Sequence, residues 1–417
     1  MNRSCHVWLL VLGLTPLLIV AACGKSAAPR ATATRPAASA SSATGIASST
    51  TTAALPSGSG VHATATDTAI ATPTLLEASA SATNLATDPP AEPVTATSAP
   101  DAAHILTAAE LQQFKPNELG QVPILEYHQL GPDPEQFIRT PDQFRGDLQW
   151  LYDNNFHVVS LHDFLTSSID IPAGKKPVVL TFDDSSAGQF RVSENADGTL
   201  AIDPNSAIGI MELFFGAHPD FGRGGMFAVL PQKLFDWGSA DESDQEQFAA
   251  TKLQWLVDNG YEIGNHTYNH VDLSTISNDE IMLELSKAND AILSIVPSAR
   301  IEAVTLPYGM YPAGGDDTLL RGFDLNGQSY HWVCALEVGA DPAVNPLSNL
   351  YDPYATARIQ AFDDELGKWK ATFAENPGIL YVSDGNPHTV TVPNDLHPWL
   401  VDTLDESKLG GKQLIRY

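Results

Sequence analysis

The sequence has little positive charge and, beyond its N-terminal segment, no long hydrophobic run. Its 417 residues include 22 Lys and Arg against 50 Asp and Glu, a formal net charge of −28. Such a surface repels polyphosphate, so nucleic acids and anionic membranes are poor partners. Past the N-terminal segment no apolar run reaches the ~18 residues that a membrane-spanning helix needs. We therefore expect neither a nucleic-acid-binding protein nor an integral membrane domain.

The N-terminal segment has the features of a secretory signal. The basic residue Arg3 precedes apolar stretches at residues 7–14 and 17–22, and small residues before a cleavage point are typical of such signals. The ending Val20-Ala21-Ala22-Cys23 resembles a bacterial lipobox, which implies removal of residues 1–22 and lipidation of Cys23. The prediction is an extracytoplasmic protein, lipid-anchored to the bacterial cell membrane. An ordinary signal peptide with an incidental cysteine is the alternative.

Cysteine is scarce, with three residues in the whole chain. Cys5 would be removed with the signal and Cys23 would carry lipid, which leaves Cys334 alone. An intramolecular disulfide is then excluded in the mature protein. Cys334 lies in an apolar stretch, so we expect a buried core residue and not a nucleophile.

Residues 23–103 form a segment of low complexity. They are almost all Ala, Ser, Thr, Pro and Gly, with few charges and almost no aromatic residues. Such a segment cannot bury enough apolar surface to offset its chain entropy, so we expect a disordered linker. It would hold the following domain, residues 104–417, away from the membrane.

The remaining 314 or so residues alternate short β-type runs with amphipathic helical patterns. The predicted strands are residues 122–127, 157–161, 177–182, 226–230, 261–264, 302–306, 331–336 and 379–382. Helical stripes are predicted at Phe144, Leu148 and Leu151, after a capping box at residues 277–280, and at Phe362, Leu366, Trp369 and Phe373. Unbroken apolar strands that alternate with helices are typical of an α/β fold, either a β/α barrel or an open sheet.

Three short motifs follow predicted strands, where a barrel places its chemistry. The first is Asp183-Asp184, two adjacent carboxylates that repel each other unless a cation or a proton intervenes. In the second, His266 and His270 have the i, i+4 spacing that brings both rings to one face of a helical turn, where they can share a metal ion. The third, Pro307-Tyr308-Gly309, is a tight turn that can direct the Tyr308 backbone N–H at a developing oxyanion.

In this order, the TFDD, HxxxH and PYG motifs resemble those of the polysaccharide deacetylases, the NodB-homology or carbohydrate esterase family 4 group. The resemblance runs from about residue 122 to 393 and includes the opening PILEYH. It implies a distorted (β/α) barrel. It also implies metal-dependent hydrolysis of acetyl groups from a cell-surface or extracellular polysaccharide, usually one containing N-acetylglucosamine.

The resemblance also implies the roles of individual residues. Asp183 would be the general base, and the Tyr308 N–H would hold the oxyanion. Asp184, His266 and His270 would bind a divalent metal, zinc as the first choice, with cobalt, manganese or nickel as alternatives. A histidine late in the chain would protonate the leaving amine, with His388 preferred and His397 as the alternative. His128, at the end of the first strand, is a third candidate at the rim of the site.

The chain departs from the family pattern at three places. Thr305 stands where the family often has an arginine that pairs with the base, so the tuning of Asp183 is open. The residues after Asp184 differ from the usual turn. Residues 191–222 look like an insertion, either a lid or substrate wall, or a surface loop.

Two other functions stay open, and the departures at Thr305 and after Asp184 motivate the first of them. One is a catalytically impaired, carbohydrate-binding relative of the deacetylases. The other is a glycosidase on the same barrel, which adjacent carboxylates disfavour because that chemistry needs a facing pair about 5–10 Å apart. There is no G-x-S-x-G, phosphate-binding glycine loop or H-E-x-x-H motif. The polymer, the choice between amide and ester, and the oligomeric state cannot be predicted from the sequence.

Overall fold

The computed structural model describes residues 104–236, 245–339 and 341–417, together with the backbone of Leu75–Leu76. The predicted signal, the lipidation site Cys23 and nearly all of the predicted linker lie outside the described residues. Within the described part of the chain, no helix is both long and apolar enough to cross a membrane.

The described elements alternate strands and helices along the chain. The strands are β1 Leu75–Leu76, β2 Ile124–Tyr127, β3 Gln129–Leu130, β4 Ile138–Arg139, β5 Phe156–Val158, β6 Lys176–Phe182, β7 Val192–Glu194, β8 Leu200–Ile202, β9 Met226–Val229, β10 Glu262–Asn265, β11 Ile301–Thr305, β12 Gly322–Leu325, β13 Gln328–His331, β14 Cys334–Leu336, β15 Ile359–Gln360, β16 Thr389–Val392 and β17 Gln413–Arg416. The helices are α1 Ala108–Phe114, α2 Pro141–Asp153, α3 Leu161–Leu165, α4 Ala207–Ala217, α5 Ala249–Asp258, α6 Asn278–Ile295, α7 Thr318–Arg321 and α8 Asp363–Glu375.

Eight parallel strands form the central sheet. Seven follow the order β14-β11-β10-β9-β6-β2-β15, and β5 pairs with the beginning of β6. Strand β6 is buried from its second residue to its last, as expected of a parallel strand covered on both faces. The predicted α/β class is confirmed.

An irregular segment before β15 connects the two ends of this sheet. The Thr356 N–H donates to the carbonyl of Ala335, and the Glu337 N–H donates to the carbonyl of Thr356. This segment therefore lies beside β14 and extends the sheet there. A few residues later, β15 pairs with β2. The sheet therefore closes into a distorted barrel through residues 356–360, as predicted.

The helical patterns pack as their sequences predict. Helix α6 begins with the capping box, in which Ser277 and Glu280 exchange hydrogen bonds. Phe144, Leu148 and Leu151 of α2 are buried, as are Leu366, Trp369 and Phe373 of α8. These residues hold the outer helices against the barrel and leave the strand ends to carry the functional groups.

Three sequence predictions about this fold need correction. Residues 379–382 are not a strand: a 3₁₀ turn covers Pro377–Ile379, and only isolated bridges follow, so the short β15 takes the last barrel position. Residues 331–336 divide between β13, in a hairpin with β12, and the barrel strand β14. Residues 191–222 are not an irregular insertion or surface loop, because they contain the hairpin β7–β8 and the crossover helix α4. Cys334 is buried, as expected.

Helix α4 shows why the apparent insertion belongs to the barrel. It connects β6 to β9, the position that a crossover helix takes between two parallel strands. Ile208, Met211 and Phe215 on this helix are buried in the main apolar cluster. Its sequence is apolar on most sides, so it lacks the single apolar stripe that predicts the other helices from the sequence.

Candidate active site

Four barrel strands deliver the candidate residues to one edge. His128 directly follows β2, Asp183 follows β6, His266 follows β10, and Pro307 comes two residues after β11. Because these strands are parallel, their carboxyl ends lie at the same end of the barrel. Groups that are far apart in sequence therefore meet there.

Asp184, His266 and His270 converge. The Asp184 Oδ1 atom lies 3.2 Å from Nε2 of His266 and 3.3 Å from Nε2 of His270. One ligand atom from each residue falls within 4.8 Å of the other two. Asp184 and His266 are buried, and His270 is mostly buried. One carboxylate and two imidazoles that leave room for a water are a ligand set found in catalytic zinc sites.

The donor set fits a cation. The His266 Nδ1 atom lies 3.1 Å from the carbonyl oxygen of Thr305, and a carbonyl oxygen only accepts. With a metal ion bound, a ring hydrogen on Nδ1 would satisfy this carbonyl and leave the Nε2 lone pair, beside the Asp184 carboxylate, for the ion. Two electron-rich atoms that face each other are stabilised by a divalent ion. Thr305 thus fixes the orientation of a ligand, the usual role of a group that backs a metal-bound histidine.

The histidine pair is not on a helical turn, which corrects the sequence prediction. Residues 266–270 form an irregular loop after β10, and Thr267 and His270 have positive φ angles of 64° and 54°. Neighbouring side chains hold this loop: Asn265 accepts from the Thr267 N–H, and Glu284 accepts from the N–H groups of residues 268 and 269. The rings still meet, with centroids 4.9 Å apart.

A left-handed turn separates the roles of the two aspartates. Asp184 and Ser185 have φ angles of 76° and 53°, values that L-residues adopt at a cost and that persist where other contacts fix them. The Ser185 hydroxyl accepts a hydrogen bond from the Leu230 N–H at 2.8 Å, which anchors the turn. Asp184 then faces the histidines, whereas Asp183 faces the barrel interior.

Asp183 is held by an arginine that the sequence analysis did not identify. The Arg358 guanidinium donates from Nη1 and Nη2 to the two Asp183 oxygens at 2.9 and 2.8 Å, and both side chains are buried. Burial alone would raise the pKa of Asp183, but the charge and hydrogen bonds of Arg358, together with His266 and His128, outweigh it and keep the pKa below its usual value. Arg358 comes from the segment that closes the barrel and supplies the charge that Thr305 lacks.

Glu126 extends this buried network to His128. Its Oε1 atom lies 3.2 Å from Nη2 of Arg358 and 3.6 Å from Nε2 of His128. Burial raises the pKa of the Glu126 carboxyl, although Arg358 opposes that effect. Glu126, His128 and Asp183 also have ligand atoms within 4.8 Å of one another. His128 is thus beside Asp183 at the catalytic edge.

The structure places His388 and His397 at the other end of the barrel, which corrects the preference for His388. His388 is exposed and directly precedes β16. The carbonyl of nearby Ser383 accepts from the Gly174 N–H, just before β6 begins. Strand β6 has seven residues, so about 20 Å separate its beginning from Asp183.

His397 has the same placement for a related reason. His397 lies close to Gly378: a Cβ atom placed on that glycine would be 3.9 Å from the Cβ of His397. Gly378 lies in the 3₁₀ turn Pro377–Ile379, and the carbonyl of Ile379 accepts from the Gln121 N–H, which comes just before β2. Neither late histidine can therefore serve a site that follows β2 and β6.

Tyr308 has the backbone conformation that an N–H donor site needs. Its φ and ψ are 57° and 10°, and the two hydrogen bonds of its turn come from the N–H groups of Gly309 and Met310, not from its own. The ring is 64% exposed and lies edge-on to His270, with centroids 4.6 Å apart. The turn places the Tyr308 ring beside His270, one of the candidate metal ligands.

The chain resembles known deacetylases in sequence. The polysaccharide deacetylase family model matches residues 237–318, which include His266, His270 and Tyr308 but not the aspartates. A chitooligosaccharide deacetylase from Sinorhizobium fredii (strain NBRC 101917 / NGR234) is 31% identical over 80 residues. That alignment covers 19% of this chain and 36% of the relative. These matches show that the segment with the two histidines and Tyr308 is similar in sequence to polysaccharide deacetylases, and that the matched part of the chain spans about a third of the curated relative.

Two solved structures align with more of the chain. The Streptococcus pyogenes deacetylase PplD, in complex with acetate, is 21% identical and has a TM-score of 0.43 over 60% of this chain and 97% of that one. IcaB from Ammonifex degensii is 15% identical and has a TM-score of 0.44 over 60% and 96% of the two chains.

Proposed function

We propose that this domain is a divalent-metal-dependent deacetylase of a polysaccharide that contains N-acetylglucosamine. The observation that carries the proposal is the convergence of Asp184, His266 and His270 beside Asp183. Serine-esterase chemistry has no support in the sequence, and the divided roles of Asp183 and Asp184 disfavour a glycosidase. The family match supports the same reaction.

The metal site would supply the nucleophile. A zinc or similar ion bound by Asp184, His266 and His270 would polarise the acetyl carbonyl and lower the pKa of its bound water. Asp183 stands beside these ligands as the group that accepts the proton of that water. Arg358 keeps Asp183 ionised and fixes its orientation, so that the carboxylate is ready as a base.

Two further groups would serve the tetrahedral state and its collapse. The Tyr308 N–H would donate to the developing oxyanion, where a fixed backbone donor is most effective. His128 would give a proton to the leaving amine, since it is the one of the three proposed acid histidines at this edge. Glu126, 3.6 Å from its Nε2, would hold that ring in place.

The location belongs to the same proposal. The lipobox-like ending at Cys23 supports a lipid anchor in the bacterial cell membrane, with the domain outside the cytoplasm. A linker of roughly 80 residues, if it is a flexible coil, spans on the order of 50 Å. The domain would then reach polysaccharide in the cell envelope.

A carbohydrate-binding relative without activity is the second candidate. Its main support was the missing arginine at position 305. The bidentate contact of Arg358 with Asp183 removes that argument, because the proposed base has its arginine partner from the segment before β15. We therefore favour the enzyme.

Acetate release from N-acetylated chitooligosaccharides tests the proposal. For the full chain we expect release that a chelator stops and added zinc restores. Asp183→Asn should reduce kcat by about 10²–10⁴-fold, the usual contribution of a general base, while the exposed control Asp395→Asn should match wild type. Binding of the oligosaccharide with no acetate release, or equal release by wild type and Asp183→Asn, would support a non-catalytic protein instead.

A further inference from the structure

An exposed aromatic ring borders the site on the side of His128. Phe137 is 45% exposed, although it is a large apolar side chain. Its ring lies edge-on to His128, with centroids 5.0 Å apart, and edge-on to Phe362 at 5.1 Å. These two contacts fix the orientation of a ring that is still open to solvent. Tyr308, beside His270, is a second exposed ring on another side of the same centre.

A groove of about 470 Å³ lies next to Phe137, because its lining includes the chain neighbours Gln136 and Ile138 and the ring of Phe362 that Phe137 contacts. It lies between the β3–β4 connection and the beginning of α8, and both follow barrel strands at the catalytic edge. Its volume falls in the ~300–1,000 Å³ range of small-molecule sites. Its lining includes Glu135, Arg139, Gln143, Phe362, Asp363 and Asp364.

The groove carries excess negative charge. Glu135, Asp363 and Asp364 are exposed, and Arg139 is the one cation among the lining residues. The Arg139 guanidinium already donates to both oxygens of the buried Asp147, at 2.9 and 2.8 Å, and contacts Asp363 as well. An anionic ligand would therefore meet uncompensated carboxylates, whereas a cationic one would be attracted.

We propose that this groove binds the sugar residue next to the one that loses its acetyl group, and that it prefers glucosamine, the cationic product, at that position. This inference rests on the proposed function and extends it to the substrate. The open face of Phe137 stacks on the sugar ring, and the exposed carboxylates attract the ammonium group. The enzyme would then act best on chains that are already partly deacetylated.

Two matched tetrasaccharides test this preference in the full-length protein. One is fully N-acetylated, and the other has a single N-acetyl group flanked by glucosamine. For wild type we expect a lower KM with the second substrate, and a smaller difference at high salt because exposed charges are screened. Equal KM values for both substrates, or a lower KM for the fully acetylated one, would overturn the proposal.

Two variants separate stacking from charge. Phe137→Ala should raise the KM for both tetrasaccharides by about 5-fold, the size of an aromatic contact. The exposed Trp399, at the far end of the barrel, gives the control Trp399→Ala. Asp364→Asn should reduce the preference for glucosamine by about 2- to 5-fold, and Asp395→Asn should not.

The results also distinguish this inference from the proposed function. If every substrate releases acetate but Phe137→Ala behaves like Trp399→Ala, the groove is not a sugar subsite and the deacetylase remains. If no substrate releases acetate under any metal condition, both proposals fail together.

Discussion

Replacing His128 with alanine should reduce kcat for acetate release by roughly 10²–10⁴-fold, whereas His388→Ala and His397→Ala should stay within about twofold of wild type. An amine is a poor leaving group unless it is protonated as the bond breaks. His128 follows β2, beside Asp183, whereas the other two histidines lie at the opposite end of the barrel. The three variants therefore show whether the catalytic acid is the histidine that lies near Asp183 in the fold or one of the two that come late in the sequence.

Initial rates at saturating substrate, with metal content checked for each variant, provide the measurement. His128 belongs to a second candidate cluster, with Glu126 and Asp183, but is not one of the three proposed metal ligands, so His128→Ala should retain its metal. A large loss of kcat in His388→Ala, with His128→Ala nearly normal, would contradict the assignment. Loss of the bound metal in His128→Ala would instead make this residue a ligand.

Arg358→Met should lower the free energy of unfolding by about 3–5 kcal/mol, because it leaves two buried carboxylates, Asp183 and Glu126, without their shared cation. The rate of acetate release should fall as well, since Asp183 would lose the positive charge and the bidentate hydrogen bonds of the guanidinium that orient it. Arg358→Lys keeps the charge but cannot donate to both oxygens in the same way, so we expect an intermediate loss.

Chemical denaturation of both variants measures this effect, and Arg300→Met is the matched control. Arg300 is largely exposed and pairs with Glu302 near the surface, so its loss should cost less than about 1 kcal/mol. If Arg358→Met is no more destabilising than Arg300→Met and keeps full activity, the buried network does not have the role assigned to it.

The sequence predicts the parts of the site that lie within single strand–loop units. Each of three motifs stands directly after an apolar run: Asp183-Asp184, His266 with His270, and Pro307-Tyr308-Gly309. Because the carboxyl ends of parallel strands lie at the same end of a barrel, the motifs are expected to meet there. The helical geometry assumed for the histidine pair is wrong. Asn265 and Glu284 hold an irregular loop there, and no spacing rule contains that information.

Arg358 and His128 could not be assigned in the same way. Arg358 stands in the closing segment, where polar and small apolar residues alternate without an apolar run long enough to indicate a strand, and its contact with Asp183 spans 175 positions. The histidine choice depended on which late segment provides the last barrel strand. Residues 379–382 look like that strand in sequence, but the two-residue β15 occupies the position, so the histidines that follow residue 382 lie elsewhere.

The most direct test of the central claim is a crystal structure of the protein soaked with zinc, with anomalous data at the zinc edge. The account predicts one strong peak bonded to the Asp184 carboxylate and to Nε2 of His266 and His270, at Zn–N distances of about 2.0–2.1 Å, with Asp183 still paired to Arg358. A principal peak among Glu126, His128 and Asp183, or no peak at this edge of the barrel, would contradict it.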